Sequence, residues 1–329
     1  MALGGTIGQV EALLAARRFP EAARLLLAAA DAGETAAVAE LAHWRIAGNL
    51  IRRDLPEARR LLGMAAAKGD DTSAFLHAGF LAGGFGGADD WPAALAALRA
   101  LAKRQPRAAA QLRLIEAMAL DGDGFPLRPI ETRRLSEAPH VAAAGGFMTE
   151  AECLYLRNEG EPDLKTSAVV DPATGRMVPH PVRTADSAMF GVYAEDLVVN
   201  ALNRRIAALS GTRLDQGEPL QLLRYRPGGE YKPHMDALPA EPNQRVLTVL
   251  VYLSDDYEGG ETSFPHTGLT FRGRTGDALL FRNAGADGRP DPLSLHAGLP
   301  VTGGTKYLAS RWIRAEGFTY PPPRPILDL

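Results

Sequence analysis

The stretch EPLQLLRYRPGGEYKPHMD, residues 218–236, opens a run of short apolar segments broken by Gly/Pro-rich turns. PLQLLRYR is followed by VLTVLVYL (246–253), DALLF (277–281) and KYLASRWI (306–313). Such segments between turn residues read as strands, and several of them together favour a sandwich or double-sheet jelly roll. At the end of 218–236 stand His234, Met235 and Asp236. Alternate side chains of a strand share a face, so His234 and Asp236 point together and Met235 points away.

Toward the N-terminus the pattern turns helical. Residues 193–209 have amphipathic spacing, and TEAECLYLR (149–157) reads as a short helix capped by Thr149, with Glu152 completing a capping box. LDGDGFPLRP (120–129) has the composition of a linker. Before it lies a repeat: FPEAARLLLAAADAGE (19–34), LPEARRLLGMAAAKGD (55–70) and WPAALAALRALAKRQP (91–106) start 36 residues apart (55 − 19, 91 − 55). Each copy opens with a large apolar residue and a proline, which the first turn of a helix tolerates. Gly33 and Gly69 end the first two helices. A second helix follows, with Trp44 and Phe80 at matching places. Helix pairs at this period indicate a solenoid similar to TPR-like or Sel-like repeats. The expected architecture is therefore α+β. A helical repeat domain spans 1–125, and a domain with a double-stranded β-helix (jelly roll) and supporting helices spans 126–329, its core at 216–315.

Composition bounds the function. A formal net charge of -3 argues against a nucleic-acid partner. No apolar stretch reaches the ~20 residues that span a bilayer, and the first residues lack the basic and apolar regions of a signal peptide. The single cysteine, Cys153, excludes an intrachain disulfide. The expected location is the cytoplasm.

The chemistry rests on three side chains. His296 adds a second imidazole to the His234–Asp236 pair, 62 residues on (296 − 234). Two histidines and one carboxylate form the facial triad of non-haem Fe(II) oxygenases, which leaves positions open for a 2-oxo acid and O₂. Lys306 follows at the head of an apolar strand, where a buried ammonium needs an anionic partner.

Residues 147–314 resemble the prolyl 4-hydroxylase family. The matching pieces are FMTEAEC (147–153), SAVVDPATG (167–175), RTADS (183–187), 218–236, RVLTVLVYLSDDYEGGETSFP (245–265), GDALLFRN (276–283) and SLHAGLPVTGGTKYLASRWIR (294–314). Tyr307 stands where the family often has tryptophan. The resemblance implies a procollagen-proline 4-dioxygenase-like enzyme. It would use Fe(II), O₂ and 2-oxoglutarate, with ascorbate as reductant, and release succinate and CO₂. It assigns iron to His234, Asp236 and His296, and the distal carboxylate of 2-oxoglutarate to Lys306, Tyr225 and Thr262. Tyr231 and Trp312 match aromatics near the substrate; Arg245 and Arg314 match contacts to a peptide. The substrate implied is a peptide or protein, recruited with help from the repeats. The alternatives are the same mechanism on another residue or a free small molecule, and a non-catalytic jelly-roll binding protein. Segments 169–183 and 237–245 read as lids over the substrate, each ending on an arginine, Arg183 and Arg245. The substrate's identity and the oligomeric state have no sequence signal.

Overall fold

The structure, a computed structural model, describes residues 5–170, 177–179, 182–285 and 287–329, and for 168–170 and 177–179 the backbone alone. Contacts divide the chain into two compact units. The helical unit takes in Met1–Phe125, Val192–Ala201 and Thr319–Leu329; the other takes in Pro126–Gly191 and Leu202–Phe318. Among the described residues no helix is long and apolar enough to cross a membrane.

The repeats form helix pairs at Phe19–Asp31 and Thr35–Ala47, Leu55–Ala67 and Asp71–Gly83, and Trp91–Ala102 and Pro106–Ala117, after a first helix at Thr6–Ala15. Gly33 and Gly69 follow their helices at φ of +80° and +90°, a conformation that costs glycine little. Trp44 and Phe80 are both buried in the stacked core. Two later segments join this unit. The Tyr193 hydroxyl donates to the His43 carbonyl at 2.9 Å, and the amides of Ile326 and Leu327 donate to the carbonyls of Asn49 and Leu50, each at 2.9 Å. Val192 and Leu327 pack against the helical core. The sequence reading placed both segments with the C-terminal half. Neither segment carries the 36-residue repeat, so nothing in its sequence ties it to the helical unit.

In the second unit an eight-stranded sheet runs in the order Arg133–Ser136, Val141–Ala144, Ala278–Arg282, Arg245–Tyr252, Lys306–Arg314, Leu220–Tyr225, Asp186–Phe190, Lys165–Thr166. A four-stranded sheet runs in the order Leu269–Phe271, Thr262–Phe264, His296–Gly298, Tyr231–His234. Both sheets feed one core: Leu223, Leu250, Tyr252, Leu279 and Phe281 from the first meet Phe264 from the second. The period of two within each strand puts Leu250 and Tyr252, or Leu279 and Phe281, on the same face. This is the jelly-roll arrangement expected of the sequence. The helix Glu150–Gly160 starts with the capping box read from Thr149 and Glu152. At its end Gly160 packs so tightly that a Cβ would lie 2.7 Å from a Leu222 methyl. The helix expected from 193 starts instead at Leu197, because the Asp196 carboxylate accepts from the amides of Val198 and Val199 and so caps it.

Candidate active site

The antiparallel register of two short strands sets His296 directly opposite His234. Asp236 follows His234 by two residues, and ligand atoms of all three lie within 4.8 Å of one another. Each imidazole turns Nδ1 to a backbone carbonyl, His234 to Lys232 at 2.8 Å and His296 to Ser294 at 3.0 Å. These contacts assign the proton to Nδ1 and leave each Nε2 lone pair on the side of the Asp236 carboxylate, 3.6 Å away. Burial pushes His296 down to about 4, so its imidazole is neutral at physiological pH. Burial alone would raise Asp236; the positive charge that His296 and His234 carry when protonated, together with the Thr248 hydroxyl, outweighs it and holds the carboxyl well below its usual range, so it is ionised before either imidazole gives up its proton. A carboxylate beside Nε2 lone pairs is a donor set for a divalent cation.

These three side chains stand in a cavity that also holds Tyr225, Tyr231, Thr262, Lys306 and Trp312. Lys306 pairs in register with Tyr225 and is only 2% exposed. Its Nζ donates to the Gly260 carbonyl at 2.7 Å. The rings of Tyr225, Tyr252 and Tyr257 surround it at 5.6, 5.3 and 6.0 Å. Among the described residues no carboxylate lies within ion-pair distance of it, and burial lowers its pKa to about 8. Gly260 must be glycine, since its φ is +69° and a Cβ would press on Val301 and the Lys306 stem. Tyr231 stacks on the His234 ring at 3.4 Å. The Trp312 indole N–H is buried and has no hydrogen-bond partner among the described residues.

Arg245 and Arg314, of the residues singled out from sequence, do not line the cavity. Both bind Glu218: Arg245 through Nε (2.6 Å) and Nη2 (2.9 Å), Arg314 through Nε (2.6 Å). The Arg245 guanidinium also lies 3.7 Å over the Trp312 ring. Arg183 does line the cavity, and its guanidinium sits 5.5 Å from the Tyr231 ring centroid. Of the first expected lid, residues 171–176 and 180–181 lie outside the described residues. The second is pinned at its base. The Gln244 amide both donates to and accepts from the Leu238 backbone, each at 2.7 Å. Arg314 donates to the Asn243 carbonyl at 2.7 Å.

Sequence reading passed over Tyr252 and Thr248. The Tyr252 hydroxyl crosses the core to meet Thr262 Oγ1 at 2.7 Å, and the Thr248 hydroxyl donates to Asp236 Oδ2 at 2.7 Å. Strand alternation in VLTVLVYL, applied from either residue, puts both on the inward face with Leu250.

Residues 220–314 match the 2OG-Fe(II) oxygenase superfamily. Prolyl 4-hydroxylase 1 of Arabidopsis thaliana is 37% identical over 227 residues, covering 62% of this chain and 80% of that protein. The chain belongs to the prolyl 4-hydroxylase family of 2OG-Fe(II) oxygenases. Probable prolyl 4-hydroxylase 10 of Arabidopsis thaliana is 35% identical over 208 residues, covering 56% of this chain and 72% of that one. Among solved structures, a viral collagen prolyl hydroxylase from Paramecium Bursaria Chlorella virus-1, in complex with 2OG, is 28% identical. That match covers 54% of this chain and 96% of the viral one, with a TM-score of 0.44.

Prolyl 4-hydroxylases are Fe(II)- and 2-oxoglutarate-dependent dioxygenases, for which ascorbate is the typical reductant, and the residues here fit both requirements. The His–Asp–His cluster suits Fe(II). The buried Lys306 ammonium, which forms no ion pair among the described residues, suits the second carboxylate of 2-oxoglutarate.

Proposed function

We propose that this dioxygenase hydroxylates prolyl residues of a peptide or protein, releasing succinate and CO₂. The observation that carries the reading is the sharing of one cavity by a His–Asp–His cluster and a buried ammonium that, among the described residues, makes no ion pair. The relatives named above supply the prolyl substrate class.

His234, Asp236 and His296 would hold Fe(II), which when bound supplies O₂ activation coupled to decarboxylation of 2-oxoglutarate. Lys306 fixes the distal carboxylate by a charge-assisted hydrogen bond, with Tyr225 and Thr262 as hydroxyl donors. Tyr252 orients Thr262. Tyr231, Trp312 and Arg183 shape the side of the cavity that receives the substrate, and the indole N–H of Trp312, without a partner among the described residues, is a donor for a peptide carbonyl. Arg245 and Arg314 support that wall through Glu218 and, at its rim, take the peptide. The wall excludes water while the target C–H is held in place.

The helical unit is the proposed recruiter of the peptide. It carries a cleft lined in part by His43, Phe75 and Tyr193, and aromatic-lined grooves suit extended proline-rich chains. A cytoplasmic location agrees with the lone Cys153, buried with its thiol pushed up to about 12 and so unreactive.

Incubation with Fe(II), 2-oxoglutarate, ascorbate and proline-rich peptides should yield succinate together with a peptide gain of one oxygen atom. Amino-acid analysis should return hydroxyproline. Succinate formed equally well with free proline, or an oxygen found on another residue, would overturn the substrate assignment.

A further inference from the structure

Behind the metal-ligand cluster lies a polar chain that the reading above does not use. Strand Ala278–Arg282 pairs with Arg245–Tyr252 so that Phe281 faces Thr248. The ladder extends one step further, with the Asn283 amide donating to the Val246 carbonyl at 2.8 Å. Asn283 and Thr248 are both fully buried. Asn283 Nδ2 donates to Thr248 Oγ1 at 2.8 Å, and that hydroxyl donates to Asp236 Oδ2 at 2.7 Å.

The direction of the chain is forced. An ionised carboxylate only accepts, and Thr248 has one hydrogen to give, so Asn283 must present its N–H and not its oxygen. That orientation leaves Asn283 Oδ1 buried without a hydrogen-bond partner among the described residues. A core position that merely needed filling would not require this uncompensated amide. The backbone carbonyl of the same residue accepts from the Asp291 amide at 2.9 Å. This closes the turn Pro292–Ser294, whose Ser294 carbonyl faces His296 Nδ1. One asparagine thus braces two members of the cluster, Asp236 by its side chain and His296 by its backbone.

We propose that Asn283, acting through Thr248, is a positioning residue that holds the Asp236 carboxylate in one orientation. With a lone pair of Oδ2 committed to Thr248, the carboxylate does not swing to take up space the co-substrate needs. The proposal rests on the reading of His234, Asp236 and His296 as a metal centre.

Mn(II), followed by 2-oxoglutarate under anaerobic conditions, is the probe for the full chain and its variants. Thr248→Val should weaken binding of Mn(II), or of 2-oxoglutarate to the Mn(II)-loaded protein, by roughly 10–100-fold. Thr248→Ser should restore it to near the wild-type value. Asn283→Leu should show a smaller loss, and should add nothing further in a Thr248→Val background, because its effect passes through that hydroxyl. Two results would overturn the proposal: folded variants whose thermal stability falls while both affinities stay unmoved, or losses that simply add. A wild-type chain that binds no Mn(II), or binds it as well after His234→Ala, overturns the metal-centre reading and this proposal with it.

Discussion

A lysine ammonium among three tyrosine rings, with one carbonyl for a partner, is costly to bury until an anion arrives. Lys306→Met should therefore raise the 2-oxoglutarate requirement by roughly 10–150-fold, the equivalent of about 1.5–3 kcal/mol. Mn(II) binding should be unchanged, and the rise in Tm that 2-oxoglutarate gives the wild type should vanish. Calorimetric titration checks it; an unaltered co-substrate affinity would reduce Lys306 to a packing residue. The pKa of about 8 adds a pH signature with two opposed signs. Above that value the folded ligand-free protein loses the proton that an unfolded lysine keeps to about 10.4. Its stability thus rises with pH between the two values. Co-substrate affinity falls over the same range, because the carboxylate needs the ammonium. Tyr225, Tyr252, Tyr257 and Glu261 are the titratable neighbours, and burial pushes the three phenols up, so none of them ionises first.

At the scale of the strand, Glu218 joins two elements that the register already sets side by side, Arg245 opposite Arg314. The carboxylate is buried under both guanidiniums. Glu218→Ala leaves two cations facing each other, an expected loss of about 3–5 kcal/mol, and Glu218→Gln a smaller one. Urea denaturation measures it, and a change within about 0.5 kcal/mol would place the pair in the weak class of surface bridges. The loop after Asp236 offers a second test. Gln244→Ala should speed hydrogen exchange at Leu238, whose amide now has the Gln244 side chain as acceptor, while 239–242 exchange fast in both proteins. The strands themselves were legible from short apolar runs and turn residues, and the cluster from H-x-D with a later histidine. The Glu218 clamp, the Tyr252–Thr262 bond and Asn283 were not. Each depends on which residues face one another across a ladder or a core, and that register is a property of pairing, absent from any one segment. Arg245 and Arg314 show the limit: each reads from sequence as an isolated arginine, and only the pairing of their strands brings both to Glu218.

Across the whole molecule, the helical unit is assembled from three separated pieces of chain. The repeats were visible as a 36-residue period; the two added pieces lie outside that period, so their membership of the unit did not show. Arg45 donates to the Leu329 carbonyl at 2.9 Å and Arg53 to that of Pro321 at 3.1 Å, besides the bonds made by Ile326 and Leu327. Deletion of 319–329 should lower the unfolding transition of the helical unit by several degrees. We propose that the two units unfold separately, with their first boundary near residues 120–130. Calorimetry of the shortened chain should then show one transition moved and the other in place; a joint shift would make them one cooperative block. The same return of the chain sets a clock during synthesis. The repeats emerge first, and their local contacts favour rapid folding. Their last hydrogen bonds must wait for partners encoded almost 200 residues after Phe125. At roughly 5–20 residues per second, that wait is on the order of 10–40 s. For this interval the nascent helices stand with the Asn49 and Leu50 carbonyls lacking the amides of Ile326 and Leu327. A ribosome-bound chain halted before residue 319 should be cut by protease near that corner, and released full-length chain should not.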